Sequence, residues 1–360
     1  MKSVSEMTRQ FAAALQQLSL KLIRLYHPQT WKEKGIAWTS GLAIVTLIII
    51  NLVLAFIWSR EPAPFNVEEI TLDMLQEDEK RMVTGSATLA TTITLADTLL
   101  NKPGGYLTND VTPPSVFLDN IPNWEFGVIT QIRDMTRALR NDFARSQSQS
   151  IEDKDLMQAD PLFNFDNDSW LFPPTEREYG KGIKHLDNYL QRLTDPNQPG
   201  AQFYARADNL REWLGVVEKR LGSLSQRLSA SVGELRVNTD LAGDSAATQS
   251  TDASSHLYVK TPWLEIDDVF FEARGNTWAL LHLMKAIEQD FEQVLQKKNA
   301  RASVRQIIRE LEGAQENVFS PIILNGSGFG LVANHSLVMA SYISRANAAV
   351  IDLRNLLEQG

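Results

Sequence analysis

IAWTSGLAIVTLIIINLVLAFIW, residues Ile36–Trp58, is the stretch whose reading decides the fold. Its 23 residues include no charged side chain. As a helix rising about 1.5 Å per residue it reaches about 34 Å, enough to cross a hydrocarbon core of roughly 30 Å. Trp38 and Trp58 stand near its ends, where amphipathic rings settle at the headgroup boundary, and are read as membrane anchors. The competing reading is a core helix of a soluble protein, but such helices rarely run this long without charge.

Charge assigns the sides. Lys21, Arg24, Lys32 and Lys34 lie within the fifteen residues before the span, and only Arg60 is basic in the fifteen after it. The positive-inside bias therefore puts residues 1–35 in the cytoplasm and residues 59–360 on the far side. A cleaved signal peptide would carry an apolar region of about 7–15 residues near the start, then a small-x-small site. Here the run begins at Ile36 and is followed by Ser-Arg-Glu-Pro-Ala-Pro, so an uncleaved signal anchor is expected. Residues 1–60 carry +5, which leaves −14 of the net −9 on residues 61–360. An acidic exterior argues against nucleic acid as a partner, and against anionic lipid bound by bulk attraction. Cysteine is absent, which excludes disulfides, thiol nucleophiles and cysteine metal sites.

Outward from the span, residues 5–26 read as an amphipathic helix. Phe11, Leu15, Leu18, Leu22 and Leu25 share a face, and Arg9, Lys21 and Arg24 supply positive charge. It fits the inner leaflet better than a coiled coil, because three heptads are short for a coiled coil. After the span, residues 59–66 form a stiff proline-containing linker. Helices are then expected over 68–82, 86–100, 124–144 (capped by Asn123), 175–193 (opened by a Thr175–Glu178 capping box), about thirty residues through Leu210–Val232, 267–298, 303–311 and 331–357. Leu210, Leu214, Val217, Leu221, Leu224, Leu228 and Val232 make the most continuous apolar stripe, and the 267–298 helix is its expected partner. Residues 238–256 read as a flexible linker dividing a first helical part, 67–237, from a second, 257–360. Only Val318–Leu324 hints at a strand, and Pro321 cuts it. The fold class is all-α: an amphipathic helix, one transmembrane helix, then a bundle of long antiparallel helices.

Patterns for chemistry are weak. Arg133, Arg137 and Arg140 form a stripe that could grip an anion, but a face paired with neighbouring acids is the commoner use. Asp166 and Asp168 alternate as calcium ligands do, without the glycine and distal glutamate that complete such a loop. The five histidines (27, 185, 256, 282 and 335) have no zinc-hydrolase spacing. Gly326, Ser327, Gly328 and Gly330 could present backbone amides to an anion before a helix, although a tight turn is the simpler reading. Arginine recurs beside asparagine in otherwise apolar helices: Arg206, Asn209 and Trp213; Arg274, Asn276 and Trp278 with Glu272; Arg345 and Asn347. Buried, these arginines must be paired, either in a network that fixes helix register or around an anionic ligand. Glu265, Asp267, Asp268 and Glu272, with His282, could serve an enzyme only if a second helix completed the site. Asp268 and His282 stand about 21 Å apart along an ideal helix.

Six runs carry a resemblance: LADTLLNKPGGYLTNDVTPP, PNWEFGVITQIRDMTRALRNDFARSQSQS, QFYARADNLREWL, RLGSLSQRLSASVG, FFEARGNTWALLHLMKAI and GSGFGLVANHSLVMASYISRANAAVIDLRNLL. Together they resemble the proteobacterial domain-of-unknown-function family 2333, over nearly all of residues 36–357. The resemblance implies a single-span inner-membrane protein with a periplasmic domain, and no assigned activity or catalytic residue. The expected function is a non-enzymatic envelope scaffold that binds other proteins; a periplasmic enzyme or binding module for peptidoglycan, glycan or lipid is the alternative. No cofactor or metal is expected. The expected partners are the bilayer and an envelope protein, with an oligomer left open.

Overall fold

A computed structural model describes residues 13, 16–17, 19–21, 23–76, 82–146, 151–198, 200–237, 256–320 and 322–359. The chain divides into two compact units, residues 1–57 and 58–360. In the first, the described residues among 13–25 are helical, but Phe11, Leu15, Leu18 and Leu22, on which the amphipathic reading rests, lie outside the described residues. Helix α1, Pro28–Lys34, opens on proline, with the His27 ring accepting from the Gln29 amide as cap. Gly35, at φ +84°, turns the chain into α2, Ile36–Trp58. No residue of α2 is buried, and its apolar side chains face outward all round. Thr39, Thr46 and Asn51 donate to carbonyls four residues back, so these three polar side chains are satisfied within the helix. Such a surface suits lipid, which offers no hydrogen bonds.

The second unit is helical and built around one rod, α9. Its elements are α3 (Val67–Gln76), α4 (Ser86–Asn101), α5 (Asn120–Ala138, closed by a π-helical turn over Leu139–Phe143), α6 (Leu156–Phe163), α7 (Thr175–Thr194), α8 (Ala207–Ser229), α9 (Ile266–Asp290), α10 (Glu292–Lys297), α11 (Arg301–Gly313) and α12 (His335–Glu358). Helix α9 touches α3, α4, α5, α8, α11 and α12. Sixteen of its 25 residues are buried, including Arg274, Asn276 and His282, because neighbours cover most of its circumference.

The closest approach is between α5 and α9. A Cβ on Gly275 would fall 1.9 Å from the Trp124 carbonyl oxygen, and one on Gly127 would fall 2.2 Å from that of Glu272. The two backbones meet at reciprocal glycines, so any larger side chain must push the helices apart. Beside this crossing, Trp124 and Trp278 pack with ring centroids 5.1 Å apart, and Gln131 donates to Asn276 at 3.0 Å in the interior.

Small residues do similar work in α4. Ala87, Thr88, Ala90, Thr91 and Thr92 are buried where the helix packs on α3, α7 and α9. Gly85 leaves α4 without a capping side chain, and Asp290 of α9 substitutes. Its carboxylate accepts from the Gly85 and Thr88 amides, both at 2.7 Å, and from the Thr88 hydroxyl. Burial holds Asp290 above the usual carboxylate range despite these donors.

Several expectations shift. The long stripe of α8 packs chiefly on α12, with only a minor contact to α9. Gly215 and Gly222 let Arg354 and Asn347 of α12 lie close, while Ser225 and Ser344 share a 2.6 Å hydrogen bond. The 267–298 helix breaks at Phe291, which turns its ring into the core against Phe143 and Phe203. Asp119 caps α5 in place of Asn123, whose side chain reaches Asp268 instead. The Thr175 hydroxyl donates to the Asp166 and Ser169 carbonyls, so the capping box does not form. Helix α6 was not expected in its polar, proline-containing stretch. A two-stranded antiparallel ribbon pairs β1 (Glu234–Val237) with β2 (His256–Val259), so His256 belongs to a strand. Residues 238–255 of the expected linker, and residues 77–81 of the expected 68–82 helix, lie outside the described residues.

The glycine crossing is directly testable by thermal or denaturant unfolding. Gly275→Ala should cost about 2–3 kcal/mol through overpacking. Gly180→Ala, in α7 with nothing near its Cβ position, should gain about 0.5–1 kcal/mol from reduced backbone freedom.

Candidate functional site

The chemistry-bearing residues gather where the chain enters the second unit. Pro62 and Pro64 hold the strap 59–66 extended, and it runs along α9 in the same direction. Glu61 meets Arg274, Phe65 meets His282, and Val67 packs with Ala286. Each step on the strap thus matches a later turn of the helix.

Arg274 is the anchor. Its Nε and Nη2 reach both Glu61 oxygens, and its Nη1 donates to the carbonyls of Ala314 at 3.1 Å and Glu316 at 2.7 Å. The guanidinium therefore ties three segments together, and its planar fork is matched by four acceptor atoms. About two turns on, His282 Nε2 accepts from the Phe65 amide at 3.0 Å, while Nδ1 faces the Trp278 carbonyl at 2.7 Å. That geometry requires a neutral ring carrying its proton on Nδ1. The Phe65 ring stacks on it at 3.8 Å. Burial pushes the His282 pKa down to about 4. With both nitrogens engaged inside the core, His282 is not placed to act as a base for the carboxylates at the start of α9.

Two clefts flank the Arg274 anchor. One, of 490 Å³, is walled by Ser59, Arg60 and Glu61 together with Asn120, Asp267 and the 317–323 loop. The other, of 390 Å³, is walled by Phe270, Val318, His335, Met339 and Tyr342. Asp268, at the start of α9, is raised above its ordinary pKa by burial and then by the charges of Asp119, Asp267 and Glu265. Among the described residues, no group of three His, Asp or Glu side chains is placed to hold a metal ion.

The three arginine–asparagine pairs do not converge. Arg206 pairs with Asp208 across the first turn of α8, and Asn209 donates to the Tyr204 carbonyl. Arg345 pairs with Glu310 at 2.7 Å and lies over the Tyr342 ring. Asn347 sits at the α8–α12 seam. Glu272 holds Arg227 of α8, not Arg274. Trp213 and Trp278 are buried, with no hydrogen-bond acceptor for their indole N–H among the described residues. The stripe of Arg133 and Arg140 clamps the chain around α6: Arg133 donates to the Phe163 and Phe165 carbonyls, and Arg140 pairs with Glu152 and Asp160.

The glycine loop is closed by internal bonds. Gly326 donates to the Ala333 carbonyl, and a Cβ there would fall 1.9 Å from the Val332 oxygen. Asn334 caps α12 by accepting from the Leu337 amide, and it donates to Gly326 and Asn325. Trp58, read as a membrane anchor, is half-buried with its ring against Gly104; Trp38 is half-exposed in α2.

Sequence reasoning missed a buried ion pair near Trp58. Lys102 and Glu125 are both inaccessible, and Glu125 also accepts from the Leu107 and Thr108 amides. Burial raises the Glu125 pKa against these partners. The pair fastens the 102–108 loop onto α5. The signal available was a lysine in a turn and a glutamate on a helix face, indistinguishable from surface residues.

Two measurements check these contacts. Lys102→Met should cost about 3–5 kcal/mol, because it strands a buried carboxylate, and adding Glu125→Gln should recover most of it. For His282, the folded state holds the neutral ring, so its contribution is complete above about pH 6.5 and is lost as the pH falls toward about 4. Over that window the native protein should lose about 3 kcal/mol more stability than His282→Gln.

Compared with known families, residues 31–360 match the one described as "Uncharacterized protein conserved in bacteria (DUF2333)". No curated protein and no solved structure matches the chain.

Proposed function

We propose, from the premise that the chain belongs to the DUF2333 family, that it is a single-pass inner-membrane protein whose helical body works in the periplasm as a non-enzymatic scaffold for other envelope proteins. The observation that carries this reading is α2, apolar on every face, with basic residues concentrated before it. A helix with no buried residue gains nothing from water and is stable where its surroundings are hydrocarbon. The locked strap supports a structural role: it joins the anchor to the body through an ion pair and a stacked ring, leaving neither group free for chemistry. The acidic body suits a basic or neutral protein partner better than an anionic polymer.

The 390 Å³ cleft beside Arg274 favours a second reading, a binding module for a glycan or lipid fragment. Its walls are largely apolar and include one histidine, which already accepts the Leu324 amide at Nδ1.

Topology is checked by fusing a reporter after Gly360. Alkaline phosphatase there should be active and a green fluorescent protein dark; the reverse would overturn the orientation. Photo-crosslinking in cells, with the same neighbour recovered when that neighbour carries the probe, tests the scaffold role. A small molecule that co-purifies stoichiometrically and is lost in Tyr342→Ala would favour the second reading instead.

A further inference from the structure

The first residues of the body mark one of its ends. Ser59, Arg60 and Glu61 line a cleft with Asn120, Asp267 and the 317–323 loop, so the starts of α5 and α9 share that end with the strap. The Asn123–Asp268 hydrogen bond at 2.7 Å joins the two helices there. Trp58 lies against Gly104, and the chain from Tyr106 to Asn109 holds the 167–169 segment by hydrogen bonds to its carbonyls. The loop before α12 is tied to the same region, since Asn325 donates to Ser231 just after α8, and His335 faces Phe270.

Exposed apolar residues concentrate at this end. Among the described residues of the second unit, eight large apolar side chains are at least 75% exposed, and seven occupy these loops. Phe117 precedes α5, and Trp263 and Leu264 precede α9. Phe319, Phe329 and Leu331 precede α12, and Phe172 precedes α7. Ile151 is the exception. Single exposed apolar residues need no explanation, but a ring of them around one end does.

We propose that this end rests on the outer leaflet of the same membrane, with the loops carrying Phe117, Trp263, Leu264, Phe319 and Phe329 seated in the headgroup boundary. The occupant is lipid, not protein, because the tether decides it. The chain passes from a membrane-length helix to this face within three residues, so the bilayer is the surface these loops meet first. Aromatic and aliphatic tips are suited to the interface, and the basic Arg60 and Lys260 here are outnumbered by acids. Asp119, Glu265, Asp267 and Asp268 stand at the same end, so the contact works by apolar insertion and favours zwitterionic headgroups. This inference rests on α2 being in the bilayer.

The test uses the full chain, whose lack of cysteine allows single labels. Phe117→Cys, Leu264→Cys and Phe329→Cys carry an environment-sensitive fluorophore in phosphatidylcholine–phosphatidylethanolamine nanodiscs with a fraction of doxyl lipid, shallow for the loop labels and deep in the acyl chain for the mid-span label. Leu47→Cys reports the anchor, and Gln293→Cys, beyond the far end of α9, reports bulk water. The three loop labels should be blue-shifted and quenched roughly twofold, as for groups seated about 5–10 Å into the boundary, with Gln293→Cys unaffected. Water-like, unquenched loop labels beside a quenched Leu47→Cys would overturn the proposal and leave the anchor standing. An unquenched Leu47→Cys would remove the anchor and the proposal together. Blue-shifted loop labels that doxyl lipid does not quench would assign the face to a second copy or another protein, and overturn the lipid contact.

Discussion

Helices α5 and α9 can lie as close as they do only because neither has a Cβ where they cross. Gly127 and Gly275 set the separation of the two backbones, and much of the body is arranged around that separation. Trp124 and Trp278 pack beside it, and Gln131 and Asn276 find each other across it. A wider crossing would leave two amide side chains unsatisfied in a dry interior, where each costs on the order of 1–3 kcal/mol. The crossing is therefore packing and polar specificity at once.

Around that centre the body uses buried charge sparingly and pairs it. Arg274 takes up a carboxylate and two carbonyls, Lys102 a carboxylate and a carbonyl, and Asp290 the open N-terminus of α4. Arg274 and Asp290 join segments about two hundred residues apart and Lys102 joins a loop to the next helix, so each acts as a register mark between elements that apolar packing alone could let slide. His282 works in the opposite way, held neutral by burial so that one nitrogen can receive the backbone of the strap.

What the sequence disclosed follows from the range of the signal. Periodicity is local, so the all-α class, the span at Ile36–Trp58 and most helices were legible from spacing. Partner choice is not local. The stripe of α8 specifies an apolar face but not which helix covers it, and α12, over a hundred residues on, supplies the close-fitting alanines and serines. Helix α6 escaped notice because Asp155, Asp160 and Pro161 mask eight helical residues whose stability comes from α7 and from the arginines of α5. At the candidate site, Arg274 and His282 were visible as residue types in an apolar helix. Their partners, Glu61 and Phe65, lie more than two hundred positions away in what reads as a linker. No spacing rule connects them.

The strap along α9 carries a mechanical meaning. Because residues 61–67 run in register with the helix they bind, a pull on the first residues of the body acts parallel to the row of contacts. Glu61, Phe65 and Val67 then share the load in shear, where a perpendicular strap would unzip one contact at a time. The segment that joins the body to its tether is the one built to transmit tension.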